Sequence, residues 1–366
     1  MKKSKHFYCL HKAIRNRSAF RRICERRKYK QRFRSLPSKE REKLLEVLRF
    51  KHKYWNYNTI KAPRIFSLIE NEDETLEFIK NVISSYEKRR KTFINLRFVD
   101  YITNDALLLL LSNMVRFKTR NIDFNGNFPK NINCERMVMN SGFFESLYDT
   151  IKRGNSYDLA GKSSSFHTHA NKKVDQQKTA EIIERACRTI WNEPKRCPKV
   201  QRAFIELMQN TNNHAADEKG KKHWWMSVSH DYKNKKVVIS FLDFGMGIIR
   251  SLENKKVGDK FYKWQEIFKQ YWPWAKSHDQ ILKLILEGAL YNDIPATVTG
   301  DYNRGKGLPG IYKAFKENNL VNLVVITNNV YANVGKGDFH VMKNEFLGTF
   351  VSWEMNESIN YLPWIE

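Results

Sequence analysis

The run Val237-Val238-Ile239-Ser240-Phe241-Leu242 passes without a break into Asp243-Phe244-Gly245-Met246-Gly247. No other junction constrains the fold as much. β-Branched and aromatic residues in an unbroken apolar run predict a buried strand. That strand must end where a carboxylate and two glycines begin. A carboxylate at a strand terminus can accept a hydrogen bond from an amine. Glycines just beyond it let the backbone approach a ligand without a Cβ clash.

Three other segments complete the pattern. Lys199 to Ala215 is expected to be a helix, with Phe204, Leu207 and Met208 on its buried side. Glu206 and Asn210 stand four residues apart, which places both on one face about a turn apart. His214 lies one further step along the same face. A carboxylate beside an amide can orient a water and ligate Mg²⁺ through oxygen. Arg304-Gly305-Lys306-Gly307-Leu308-Pro309-Gly310 precedes a helix expected over Ile311 to Asn318. Glycines in front of a helix N-terminus present backbone N–H groups to phosphate. Gly348-Thr349 leads into the expected strand Phe350-Val351-Ser352-Trp353.

In this order, and on these elements, the four segments resemble the nucleotide-binding boxes of the GHKL ATPases. That superfamily includes gyrase, sensor histidine kinases, MutL-type repair proteins and anti-sigma-factor serine kinases, and the last branch is the most similar. The resemblance implies a Bergerat-type α/β sandwich over residues 176–366, with ATP and Mg²⁺ held on its helical side. It implies Glu206 as general base and Asn210 as magnesium ligand. It makes Asp243 the adenine selector, with Gly245 and Gly247 on the pocket floor. Arg304, Gly305, Lys306, Gly307, Leu308 and Gly310 become a lid over the triphosphate. His214 is placed near phosphate, and Thr349 joins the hydrogen bonds around adenine and Asp243.

Residues 62–150 alternate between strand and helix patterns. Strands are expected at Arg64 to Ile69, Thr92 to Leu96 and Asn121 to Asn125, with a turn at Gly126-Asn127. Helices are expected at Asp73 to Arg89, Asn104 to Val115 and Cys134 to Asn140. Leu107 to Leu111 reads as a buried helical run, too short to span a bilayer. The segments Phe93-Ile94-Asn95-Leu96-Arg97-Phe98-Val99-Asp100 and Asn140-Ser141-Gly142-Phe143 resemble a STAS domain, the fold of anti-anti-sigma factors. Such domains carry a phosphorylatable serine at the start of the helix after that strand. Here the positions read Thr103-Asn104-Asp105-Ala106. Only Thr103 could accept phosphate, so the expectation is a fixed interaction or scaffolding module that holds a protein partner.

Residues 151–175 read as a polar linker. The five cysteines are scattered with no CxxC pair, which argues against a zinc site or disulfide framework and for a reducing, cytoplasmic setting. No stretch reads as a membrane span. Residues 1–61 read as a basic helical arm. Residues 1–64 hold 22 Lys and Arg against 4 Asp and Glu, which is +18 of the chain's +26. Lys and Arg displace counterions from phosphates, and Phe20, Tyr29 and Phe33 could stack on bases.

Three functions fit this reading. One is an ATPase switch whose contacts change with nucleotide, with a homodimer left open. A second is a serine/threonine protein kinase of the anti-sigma-factor type. A third is a nucleic-acid-associated protein regulated by ATP. The charge asymmetry makes one of them testable at once. Deleting residues 1–64 is expected to abolish binding to a DNA or RNA oligomer, whereas the intact chain binds with steep salt dependence. Salt-titrated anisotropy of the two chains checks this, and equal affinities would exclude the nucleic-acid role of the arm.

Overall fold

The computed structural model describes residues 53–149, 164–169, 176–214, 224–253, 277–287 and 307–362, with a few single positions between 31 and 42. Two compact units divide at Tyr57 and Asn58. The expected basic arm lies almost wholly outside the described residues. Its last residues, Asn58–Lys61, form strand β1 of the second unit.

The second unit is a mixed α/β structure with parallel and antiparallel sheets. Its first part pairs β1, β3 (Thr92–Asn95) and β5 (Phe124–Asn127) in parallel, in the order β1-β3-β5. A second parallel pair joins β2 (Ile65–Phe66) to β4 (Tyr101–Ile102). Helices α1 (Glu72–Glu87) and α2 (Asn104–Thr119) make the crossovers. Helices α3 (Ile132–Asn140) and α4 (Phe143–Asp149) close the part. Both long helices run where their apolar spacing predicts, and Leu107, Leu108, Leu109, Leu110 and Leu111 are all buried. Gly126 differs from expectation. It lies inside β5 rather than in a turn, and a Cβ there would stand 2.9 Å from the Ile94 carbonyl oxygen. This glycine therefore serves close strand approach, a role that an Asn-Gly pair does not advertise.

The second part is a five-stranded antiparallel sheet ordered β6-β7-β8-β10-β9. Its strands are β6 (Ser164–His169), β7 (Trp224–Asp231), β8 (Lys236–Asp243), β9 (Val321–Asn333) and β10 (Asp338–Asn356). Strand β6 falls within the stretch read as a linker. Its residues are mostly polar, and it adds to the sheet edge through backbone pairing with β7.

Strand periodicity sends alternate residues to opposite faces. One face carries Trp224, Met226, Val237, Ile239, Phe241, Val351 and Trp353 into a core with four helices. These are α5 (Gln176–Trp191), α6 (Pro198–His214), α8 (His278–Leu286) and α9 (Gly307–Lys316). The short α7 (Ile248–Glu253) follows β8. The other face carries Trp225, Leu242, Val324, Ile326, Tyr331 and Phe350 into the same core as α1 and α2. Both sheet faces are covered, which explains why β8 reads as a continuous apolar run and not as an alternation.

Polar contacts fix how the first part seats on the sheet. The Tyr331 hydroxyl donates to the Ile69 carbonyl at 2.9 Å. The Asp73 carboxylate accepts from the backbone N–H groups of Lys343 and Asn344 at 3.0 and 3.1 Å. The Asn104 amide donates to the Ser229 hydroxyl at 2.7 Å. The Asp105 carboxyl is buried and accepts from Leu68 N–H at 2.8 Å, and burial pushes its pKa up. Among the described residues no helix is long and apolar enough to cross a membrane.

Each large side chain on the covered face contributes about 1.5–3 kcal/mol by burial. A fragment that starts at residue 150 would expose Trp225, Leu242, Val324, Ile326 and Phe350 together. We expect that fragment to aggregate while a chain of residues 53–366 stays dispersed. Size-exclusion chromatography of the two decides it, and a monodisperse folded fragment would contradict this account of the sheet.

Candidate functional site

Strand β8 delivers Asp243 to its carboxyl end, and β10 places Thr349 directly opposite. The Asp243 carboxyl is 9% exposed. It accepts from Gly245 N–H at 2.8 Å and from the Thr349 backbone N–H. Burial pushes its pKa up to about 6, against the lowering effect of those two backbone donors. Among the described residues no Lys, Arg or His forms an ion pair with it. The result is a buried carboxyl with acceptor capacity left over, a group that gains from an additional N–H donor.

The backbone around it leaves no room for side chains. Gly348 has φ +126°, and a Cβ there would lie 2.0 Å from the Asp243 carbonyl oxygen. Gly247 has φ +80°, and a Cβ there would meet the Asn328 side chain at 2.4 Å. The sequence marks Gly348 only as the partner of Thr349, yet it is the residue that lets β10 close on β8.

Two residues outside the four sequence segments hold the loop after Asp243. The Thr327 hydroxyl accepts from Ile248 N–H at 2.9 Å and donates to the Gly348 carbonyl at 3.0 Å. The Asn328 side-chain oxygen accepts from Ile249 N–H at 3.1 Å, and its amide donates to the Met246 carbonyl at 3.0 Å. Asn328 has φ +51° within β9, the left-handed conformation that asparagine tolerates better than most residues. The sequence signal for it is faint: an Asn-Asn pair interrupting an apolar strand.

Helix α6 carries Glu206 and Asn210. Phe204 on its inner side meets Trp353 edge-on with ring centroids 5.0 Å apart. Glu206 is largely buried, with Arg202 Nε 3.4 Å from its carboxylate. Asn210 is half-buried. His214 ends the helix, and its side chain lies outside the described residues.

The direction of α6 follows from its anchors. Just before it, Arg196 and Leu362 exchange backbone hydrogen bonds, beyond the C-terminal end of β10. From there α6 runs past Trp353 toward the Thr349 end of the sheet. Phe204 to Asn210 covers about 9 Å of helix, and Trp353 to Thr349 about 13 Å of strand. Asn210 and Asp243 therefore belong to the same end of the molecule.

Helix α9 packs along α6. Lys199, at the start of α6, pairs with Glu317, just past the end of α9. The two helices are thus antiparallel, and the N-terminus of α9 at Gly307 points to the Asn210 end. The helix begins four residues earlier than expected, so Gly307, Leu308, Pro309 and Gly310 form its first turn. Proline is well accommodated in a first turn, whose N–H groups have no intrahelical acceptor anyway. The Leu308 side chain enters the core, so only its backbone could face a ligand. A Cβ on Gly310 would meet nothing within 4 Å. Arg304, Gly305 and Lys306, and the tryptophans Trp264, Trp272 and Trp274, lie outside the described residues.

Two clefts are lined elsewhere, one by Asn58, Ile60, Ser85 and Lys88 and the other by Cys197, Glu317, Asn360 and Tyr361. Neither includes Asp243, Asn210 or Thr349. The chemistry therefore points to the Asp243 end on the strength of the buried carboxyl, not of concavity. No family model matches the chain, and no curated protein sequence does either.

The raised Asp243 pKa has a signed consequence. The folded value of about 6 exceeds the unfolded value of about 3.9. The folded state thus holds the extra proton between these values, and this group lowers stability as pH rises from about 4 to about 6. Asp243→Asn removes that loss. We expect the unliganded variant to be more stable than the parent at pH 7, and the gap to shrink toward pH 4. Urea melts at the two pH values test this, and a variant equally destabilised at both would overturn it.

Proposed function

We propose that the chain is a Mg-ATP-binding ATPase of the GHKL type, with a Bergerat-like arrangement over residues 164–362, acting as a nucleotide-dependent switch. The observation that carries this reading is the Asp243 carboxyl. Among the described residues it is buried without a cation, backed by Gly247, Gly348 and Thr349, and bonded only to two backbone N–H groups at the end of a central strand. The exocyclic amine of adenine supplies the donor such a carboxyl lacks. A guanine would present an oxygen in that position, so adenine is preferred.

In this reading the other groups the reaction needs belong to the same end of the sheet. Asn210 offers a neutral oxygen to Mg²⁺, which takes such ligands together with phosphate and water. When bound, the ion would neutralise developing charge on the phosphates. Glu206, one turn earlier, is in this reading the general base for the attacking nucleophile. Arg202 holds its carboxylate in place. The first turn of α9 supplies N–H groups toward a phosphate.

One observation favours a switch over a kinase acting on a separate STAS-type partner. The helix start where such partners are phosphorylated is here part of the fused structure. Asn104 bonds to Ser229 of the large sheet, and Asp105 is buried against Leu68. The Thr103 hydroxyl donates to the Phe66 carbonyl at 3.4 Å.

Titration calorimetry of the full chain should show Mg-ATP binding with preference over Mg-GTP. Asp243→Asn should weaken it by about 1.5–3 kcal/mol, roughly tenfold to a hundredfold. Glu206→Ala should bind ATP yet release no phosphate, and Asn210→Ala should lose the magnesium dependence. Unchanged ATP affinity in a folded Asp243→Asn chain would sink the adenine assignment. Labelled phosphate appearing on added protein instead of in solution would select the kinase.

A further inference from the structure

Away from the Asp243 end, two thiols meet in the core. Cys187 lies on the inner face of α5, and Cys197 lies immediately before α6. Their sulfurs are 3.8 Å apart, and both residues are buried. They are free thiols. Cys197 also lines a cleft of about 280 Å³ whose other walls include Lys199, Glu317, Asn360 and Tyr361. A small polar oxidant can therefore reach the pair from one side.

We propose that Cys187 and Cys197 form a peroxide-sensitive dithiol that closes to a disulfide. The geometry is close to that of the product. The sulfurs are already in contact, 3.8 Å apart against a bonded distance of about 2.05 Å. The connecting residues form a short turn stapled to the C-terminal segment. Arg196 pairs with Leu362 through two backbone hydrogen bonds, and the Lys195 ammonium sits over the Tyr361 ring at 4.6 Å. The two cysteines are thus held facing each other and are not brought together by chance collision.

The hydrogen bond between the thiols and the nearby Lys195 charge favour a thiolate within the pair. The thiolate is the nucleophile toward peroxide. In the first step one thiolate of the pair attacks a peroxide oxygen and the O–O bond breaks. The departing hydroxide takes a proton and leaves as water, and that cysteine becomes a sulfenic acid. In the second step the other sulfur attacks the sulfenic sulfur, its proton passes to the departing hydroxide, and a second water leaves. Two thiols are oxidised, and one hydrogen peroxide is reduced to two waters.

The product would lock the Asn192–Cys197 turn against α5 and so pin the N-terminus of α6. That helix is the one that carries Glu206 and Asn210. The proposal does not depend on nucleotide binding, and neither does its test.

The folded full chain is treated with hydrogen peroxide, alkylated, digested without reductant and mapped by mass spectrometry. We expect one dominant linked peptide pair joining Cys187 to Cys197, with Cys9, Cys24 and Cys134 still alkylated. Amide exchange over the 188–202 region should slow on oxidation and recover with dithiothreitol. In Cys187→Ser and in Cys197→Ser the reaction should stop at a sulfenic acid on the remaining cysteine of the pair, which dimedone traps. Absence of the 187–197 link in folded wild-type chain overturns the proposal, as does oxidation that mixes all cysteines equally. The wild-type mapping stands even where a serine variant fails to fold.

Discussion

The pairing of β10 with β8 is the contact on which the rest depends. It sets Thr349 opposite Asp243, Val351 opposite Phe241 and Trp353 opposite Ile239 in unbroken register. Because side chains alternate, a one-residue slip would exchange the two faces of the strand and bury the wrong set against each layer of helices. Gly348 is what allows the register at its critical end, since any side chain there would collide with the Asp243 carbonyl. The same closeness brings the Thr349 N–H onto the Asp243 carboxyl. Fold register and site chemistry are thus one constraint, imposed by one glycine.

Parts of this arrangement are legible in the amino-acid sequence. Asp243, Gly247 and Thr349 converge as their strand-and-glycine contexts suggest. Helices α1, α2 and α6 run within a few residues of their apolar periodicity. The failures share a physical cause. Strand β6, Ser-Ser-Phe-His-Thr-His, has no apolar signal because it is recruited through backbone pairing at an edge. Strand β9 and the first half of β10 are not foreseen because they belong to a long ribbon with irregular register between Val341 and Thr349. Thr327 and Asn328 are nearly silent in the sequence because their work is to satisfy N–H groups of a neighbouring loop. Spacing within one segment cannot reveal such a partner.

The second face of the sheet shows the same limit at a larger scale. Residues 62–150 and 176–366 read as two domains, each with its own β/α pattern. Their apolar side chains nevertheless share one core, in which Leu107 and Leu108 belong with Trp225 and Phe350. Nothing in the local pattern of either stretch says that the other will complete it. A strand buried on two sides and a strand buried on one differ only in the residues facing the partner, and β8 shows this at Leu242.

That shared core bears on how a nucleotide could act. With α1 and α2 seated on one face, a displacement of the sheet against them would break the Tyr331, Asp73 and Asn104 contacts together with the apolar packing. In the proposed reading the movement falls instead on the helical face, where α6 and α9 share the other core of the sheet. Helices α6 and α9 lie antiparallel and are tied at their far end by the exposed Lys199–Glu317 pair, whose attraction solvent screens. Their near ends at Asn210 and Gly307 are the ends that a triphosphate would bridge in the proposed reading. A shift of one helix along the other would reach the 192–197 turn and its staple to the C-terminal segment. In that reading the α1–α2 side works as the fixed base, and movement belongs to the α6–α9 pair.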